Sequence, residues 1–179
     1  MVYVLLADGF EEIEAITPVD MLRRAGIEVV VVGVTGLAVT GAHGVTVSAD
    51  TTITEARFVN GLEMVVLPGG GVGTENLASS ADVAELLRSA YEAGCYLSAI
   101  CAAPSVLGKY GYLRGREAVC FPGFESRLEG ARISSGRVVV DERVITAKGA
   151  GCAVEFAAAL IAVLRGQATA DRVTEAMFV

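Results

Sequence analysis

The sequence predicts an α/β fold, a mostly parallel central sheet covered by helices on both faces. Three observations carry this. Short apolar runs rich in Val, Ile and Leu are continuous rather than alternating, as for strands buried on both faces. Helical patterns separate several of them, as in βαβ units. The chain of 179 residues is 53% hydrophobic and 20% charged, with no repeat, linker or low-complexity tract. That is the size of one domain, residues 1–179, able to bury its own core without disulfide or structural metal.

Taken in order, Val2–Ala7, Val29–Val34, Met64–Leu67, Tyr96–Ile100 and Val144–Ala147 read as the strands. Ile13–Ala25 carries apolar Ile16, Val19, Met21 and Leu22 at helical spacing and ends at Gly26, a good residue just past a helix. Leu37–Thr52, rich in Gly, Thr and Val, reads as a β-hairpin excursion and holds His43. Ala81–Ala93 follows Ser79-Ser80, which can cap a helix, and ends at Gly94. Phe121–Val140 is the least periodic stretch and reads as loops plus a short strand pair. Ala153–Leu164 is apolar nearly all round and stops before Gly166.

Charge and residue counts exclude several functions. The formal net charge is −7, and the fourteen Lys and Arg are dispersed, with Arg23-Arg24 the only adjacent pair. A phosphate-backbone groove or an anionic membrane surface needs more than that, so neither nucleic acid nor membrane is expected as a partner. No apolar run approaches the ~20 residues of a membrane span. The start, Met1–Glu12, has no basic region and reaches acids quickly, unlike a signal peptide. Cys95, Cys101, Cys120 and Cys152 show no C-x-x-C spacing, and His43 is the only histidine, so no zinc site is expected. The reading is a soluble cytoplasmic protein with reduced thiols. Any Cys–His or Ser–His machine would have to use His43 or a residue of another chain.

Three strand ends carry the chemistry. In Ser98-Ala99-Ile100-Cys101-Ala102-Ala103-Pro104 a buried strand runs into Cys101, and a helix begins with small residues and Pro104 in its first turn. That is the design of a nucleophile elbow, and a helix N-terminus favours thiolate. A buried structural cysteine ending a strand fits the same pattern. Leu67-Pro68-Gly69-Gly70-Gly71-Val72-Gly73 also follows a strand. It matches neither G-x-G-x-x-G nor the P-loop. Its backbone N–H groups suit an oxyanion hole, and a tight turn needing positive φ explains the glycines equally well. In Ala7-Asp8-Gly9-Phe10-Glu11-Glu12-Ile13-Glu14 the acids either complement the helix dipole or place Glu14 toward a neighbouring strand end. A carboxyl desolvated beside a thiol would have a raised pKa and could shuttle protons; ionised, it would oppose thiolate formation. Arg24 is a helix C-terminal cation or an anion-binding group, and His43 reads as a surface histidine.

Together with Asp20-Met21-Leu22-Arg23-Arg24-Ala25-Gly26 and Lys148-Gly149-Ala150-Gly151, these blocks resemble the ThiJ/PfpI superfamily, in its parkinsonism-associated deglycase and YajL-like branch. The resemblance runs essentially end to end. It implies a flavodoxin-like three-layer sandwich, usually homodimeric, without cofactor or metal. It implies that Cys101 is the oxidation-sensitive nucleophile and that Glu14 is the protonated carboxyl bonded to its thiol. Gly69, Gly70 and Ala102 then belong to the donors around it, with Arg24 near the mouth and His43 a rim residue on the dimer side. The residue after Cys101 is Ala102 rather than the His of the protease-like branch, which argues against peptidase action. Phe121-Pro122 stands where some members carry His-Pro, and Cys152 replaces the more usual Thr or Ser.

The function so implied is a cofactor-independent cysteine enzyme of glyoxalase or deglycase type. It would act on small dicarbonyls such as methylglyoxal and glyoxal, giving a hydroxy acid, or on early glycation adducts. The alternative of another class is a redox-sensing or chaperone-like stress protein that uses oxidation of the same cysteine. Amidase or peptidase action ranks third.

Overall fold

The structure is a computed structural model that describes all 179 residues. A seven-stranded sheet forms its centre. The strands are β1 (Val2–Leu6), β2 (Val29–Gly33), β5 (Thr51–Thr52), β6 (Met64–Leu67), β7 (Tyr96–Ile100), β10 (Val138–Asp141) and β11 (Val144–Ala147). Their order is β10-β11-β7-β6-β1-β2-β5, parallel throughout except for the antiparallel edge strand β10. The predicted mostly parallel α/β architecture is what forms.

The continuous apolar runs have a simple cause. On β1, Val2, Val4 and Leu6 join a core of 23 buried residues on one face, while Tyr3, Leu5 and Ala7 join a core of 25 on the other. A strand between two cores needs apolar residues in both registers. Helices α1 (Glu12–Arg24), α5 (Ala153–Arg165) and α6 (Gln167–Ala176) cover the first face. Helices α3 (Ala81–Glu92) and α4 (Pro104–Lys109) cover the second, with α2 (Gly71–Ser79).

Helix α3 shows how locally some boundaries are written. The Ser80 hydroxyl accepts from the Val83 amide at 3.3 Å, a side-chain N-cap. Ser80→Ala is expected to cost about 1 kcal/mol, lowering the calorimetric melting temperature by about 2–4 °C.

Leu37–Thr52 forms the expected hairpin, β3 (Ala38–Thr40) with β4 (Thr46–Ser48), and its last two residues become edge strand β5. Phe121–Val140 departs from the expected internal strand pair. Its β9 (Arg132–Ile133) pairs parallel with β8 (Glu117–Ala118), upstream of the segment, and Val138 onward belongs to β10. Helices α2 and α6 were not expected from the sequence.

All three motif turns lie at the carboxyl ends of β1, β6 and β7, three adjacent parallel strands. This is the edge at which open α/β sheets bind ligands.

Candidate active site

Cys101 occupies the sharp turn between β7 and α4 with φ +66°, one of three non-glycine residues in left-handed backbone. Such a conformation in an L-residue costs about 1–2 kcal/mol and persists because the surroundings impose it. The Cys101 amide donates to the Ala147 carbonyl at 2.9 Å, and the Cys101 carbonyl accepts from the Phe121 amide at 2.8 Å. Both backbone groups of the residue are thus fixed. The flanking Ala102 and Ala103 are buried, where the crowded turn leaves no room for larger side chains.

Glu14 reaches this turn from the third position of α1 and is fully buried. Its Oε2 accepts from the Gly69 amide at 2.9 Å. Its Oε1 is buried without a hydrogen-bond partner, and the carboxyl lies beside the Cys101 thiol. Pro18 lies one turn further along α1, where its missing N–H leaves the Glu14 carbonyl without its intrahelical partner.

The two groups compete for one proton. Burial pushes the Glu14 carboxyl up to about 7, against the lowering effect of the neighbouring Cys101 thiol and the bond from the Gly69 amide. Burial also pushes the Cys101 thiol up, to about 12, reinforced by the charge of an ionised Glu14. The Ala102 and Gly70 amides, close to the thiol, pull in the other direction. With the proton on Glu14 the repulsion vanishes, and the neutral carboxyl can join the Ala102 and Gly70 amides as a donor beside the sulfur. The arrangement that carries a thiolate is therefore the one with a neutral carboxyl.

The glycines are explained by this packing. A Cβ on Gly69 would lie 2.5 Å from Glu14 Oε2 and 2.6 Å from Cys101 Cβ. Gly70, at φ +91°, turns the chain from β6 into α2 and passes so close to the β1–α1 loop that a Cβ would meet the Gly9 carbonyl at 2.2 Å. Cys101, Glu14, Gly69, Gly70 and Ala102 thus come together from three separate stretches of sequence.

The other two residues singled out lie elsewhere in the single chain. Arg24, at the end of α1, is ten residues and about 15 Å of helix from Glu14, and it pairs with Asp20 at 2.6 Å. His43, with its side chain 68% exposed, sits in the hairpin loop with Nδ1 2.9 Å from Glu12 and 3.6 Å from Glu11.

Glu12 is the residue that sequence reasoning passed over as a dipole partner. Its Oε1 accepts from the His43 amide at 2.8 Å and the Val45 amide at 3.3 Å, and its Oε2 contacts the His43 ring. Although burial pushes the carboxyl up, these bonds hold it at about 2. A Cβ on Gly41 would lie 2.4 Å from the carboxylate, so Gly41 makes room for the clamp. Glu12 thereby ties the hairpin to the start of α1. The one signal available in the sequence was the pair Gly41 and Gly44 flanking the sole histidine. Glu11, Glu12 and His43 are also the only acid and histidine donors gathered within 4.8 Å, and the hydrogen bonds of Glu12 and His43 already join them.

Phe121, whose amide holds the Cys101 carbonyl, also lines a largely apolar cleft of about 340 Å³ with Pro122 and the Lys148–Cys152 turn. Phe121 is half exposed there and stacks against Gly149. All four cysteines are free thiols, and only Cys101 is more than marginally accessible.

Comparison with known proteins places this geometry. Residues 1–163 match the model of the DJ-1/PfpI family. The chain is 37% identical to Protein dj-1beta of Drosophila melanogaster, over 98% of this chain and 95% of that one. It is 32% identical to the Caenorhabditis elegans protein named glutathione-independent glyoxalase DJR-1.2, over 91% and 87%. The solved structure of oxidized Toxoplasma gondii DJ-1 superposes with a TM-score of 0.94 at 36% identity, over 99% and 97%. With most of its length matched by the family model and a relative aligned nearly end to end, the chain belongs to the DJ-1/PfpI family.

Proposed function

We propose that this chain is a cofactor-independent enzyme that converts small α-oxoaldehydes to hydroxy acids, with Cys101 as nucleophile and Glu14 as proton shuttle. The observation that carries the reading is the Glu14 carboxyl, fully buried, with an oxygen free of any donor, beside a thiol held in strained backbone. A relative named as a glutathione-independent glyoxalase supports the same reaction class.

The substrate considered is methylglyoxal, an aldehyde beside a ketone. The Cys101 thiolate adds to the aldehyde carbon, and the resulting alkoxide takes the proton of Glu14, giving a hemithioacetal. The Gly70 and Ala102 amides, which face the sulfur, stabilise the charge that develops beside it. Carboxylate Glu14 then removes the hydrogen of the former aldehyde carbon and returns a proton to the adjacent carbon. The product of this internal redox step is a thioester of lactate. Water hydrolyses it, releasing lactate and restoring thiolate and protonated Glu14. The net change is methylglyoxal plus water to lactate, with no external oxidant or reductant. Hemithioacetal and aminocarbinol adducts formed early in glycation enter the same route once they release their thiol or amine and regenerate the aldehyde that Cys101 attacks.

Cys101→Ala is expected to abolish lactate formation, to below about one part in a thousand of wild type. A panel of free methylglyoxal, glyoxal and glycated peptide separates dicarbonyl removal from adduct repair. Undiminished turnover in the variant overturns the proposal.

A second reading rests on the same donors. Three hydrogen-bond donors around one sulfur suit a sulfinate as well as an alkoxide, and the superposed Toxoplasma protein was solved in an oxidized state. Mass spectrometry after mild peroxide tests it: Cys101 must oxidise before Cys95, Cys120 and Cys152.

The working unit proposed is a homodimer. Exposed Ile13 and Ile16 on α1 and Val45 in the hairpin form an apolar patch beside Glu12 and His43. A second copy seated there brings His43 and Arg24 toward a partner's site as rim cations. No helix is long and apolar enough to cross a membrane, and four free thiols fit a reducing compartment such as the cytoplasm.

A further inference from the structure

Five polar or charged residues are buried in this fold: Glu14, Thr74, Ser98, Ser105 and Thr146. Ser98 spends its hydroxyl within the sheet, donating to the Val65 carbonyl of the next strand at 3.0 Å. Thr146, on β11, does something different. Its Oγ1 accepts from the Val119 amide at 3.0 Å, in a segment that crosses outside the sheet. Two residues later the Phe121 amide donates to the Cys101 carbonyl at 2.8 Å. The Cys101 amide closes the circuit by donating to Ala147, the neighbour of Thr146.

The geometry points to Thr146 as a positioning residue for the Cys101 nucleophile, acting through the Val119–Phe121 segment. The Cys101 carbonyl and the Ala102 amide belong to one trans peptide plane, so they point in opposite directions. Holding the carbonyl on Phe121 therefore aims the Ala102 N–H back toward Sγ, the donor that favours thiolate. A hydrogen bond at one end of a peptide also strengthens the donor at the other. The orientation of Phe121 N–H depends on where Val119 is pinned, and Thr146 is the side chain that pins it. This rests on Cys101 being the reactive thiol, as proposed above, and not on which substrate it attacks.

The test is the rate of Cys101 alkylation by iodoacetamide as a function of pH. Thr146→Val keeps the side-chain shape but removes the acceptor. It is expected to slow alkylation at pH 7 about tenfold and to move the titration midpoint of the thiol upward. Thr146→Ser, which keeps the hydroxyl, is expected to restore both. Ser98→Ala, which deletes a buried hydroxyl unconnected to the turn, is expected to leave the alkylation profile unchanged whatever it does to the melting temperature. The inference is overturned if Thr146→Val alkylates within twofold of wild type, or if Ser98→Ala slows as much. Should Thr146→Val not fold, amide exchange in the wild type decides. The Val119 amide must be as protected as the β11 ladder, and fast exchange there overturns the assignment. The shared premise of a reactive Cys101 fails if wild-type Cys101 alkylates no faster than Cys120 or Cys152, whereas the substrate reading fails separately, if wild type with a fast-alkylating Cys101 forms no lactate from methylglyoxal.

Discussion

Glu14→Gln is expected to lower turnover of methylglyoxal by about 10²–10⁴-fold while leaving a folded chain. Glutamine retains an oxygen for the Gly69 amide and an N–H for sulfur, so the thiol keeps its neighbours. What it loses is a proton that can leave and return. The same variant has a signature in stability. The Glu14 carboxyl is raised from 4.5 to about 7 in the folded chain, so between those values the folded state holds a proton that the unfolded state has released. The contribution of this group is therefore fully present below about pH 4.5 and is lost as pH rises toward and through 7, an amount of about 3 kcal/mol. Glutamine cannot ionise, so denaturant melts of the variant are expected to lose that slope. A wild-type stability that rises from pH 5 to 7 in step with that of Glu14→Gln would show that the carboxyl is not raised.

Gly69→Ala is the second large effect. The backbone there is not left-handed, so alanine meets no conformational penalty, and the consequence comes from contact alone. The added methyl would lie within 2.6 Å of both the Glu14 carboxyl and the Cys101 Cβ, and 3.0 Å from the Ile100 carbonyl. Cys101 and Ile100 are held in the β7 turn, so Glu14 has to move, giving up its bond to the Gly69 amide. Overpacking and a lost buried hydrogen bond together amount to about 3 kcal/mol. For a chain of this size that is about 6–12 °C in melting temperature. Gly71→Ala, with nothing within 4 Å, serves as the control and is expected to be near neutral. Calorimetry and Cys101 alkylation read both variants.

The sequence exposed the sheet because its strands lie between two cores, and a run such as Val29–Val34 has no other use. It exposed three turns for the same reason: glycine, a small-residue cluster and an acid pair each mark where a strand stops. Helix α2 was hidden because it opens Gly71-Val72-Gly73, poor helix formers on their own. Gly73 is there for the neighbour, since a Cβ would meet the Phe10 amide at 2.7 Å. Helix α6 has a mixed polar surface and packs only its Ala170 and Val173 into the core, a weak pattern by eye. Strand β10 begins inside a stretch without periodicity, because an edge strand exposes Val140 while burying Val139. At the site, proximity of Glu14 to Cys101 was an expectation from position on a helix. The roles of Glu12 and Thr146 were not legible at all. Each acts across more than 25 residues of chain through a single hydrogen-bonding side chain, and no local pattern records that.

The adjacency of β1, β6 and β7 has a kinetic consequence. Glu14, Gly70 and Cys101 follow the ends of strands far apart in sequence, and parallel pairing must close long loops before any two of them meet. In the unfolded chain Cys101 is an ordinary thiol with a pKa near 8.5, indistinguishable from the other three. It acquires its altered ionisation only when all three strands are in register. The chemical behaviour of one sulfur atom thus reports completion of the centre of the sheet, and pulsed alkylation during refolding would time that event.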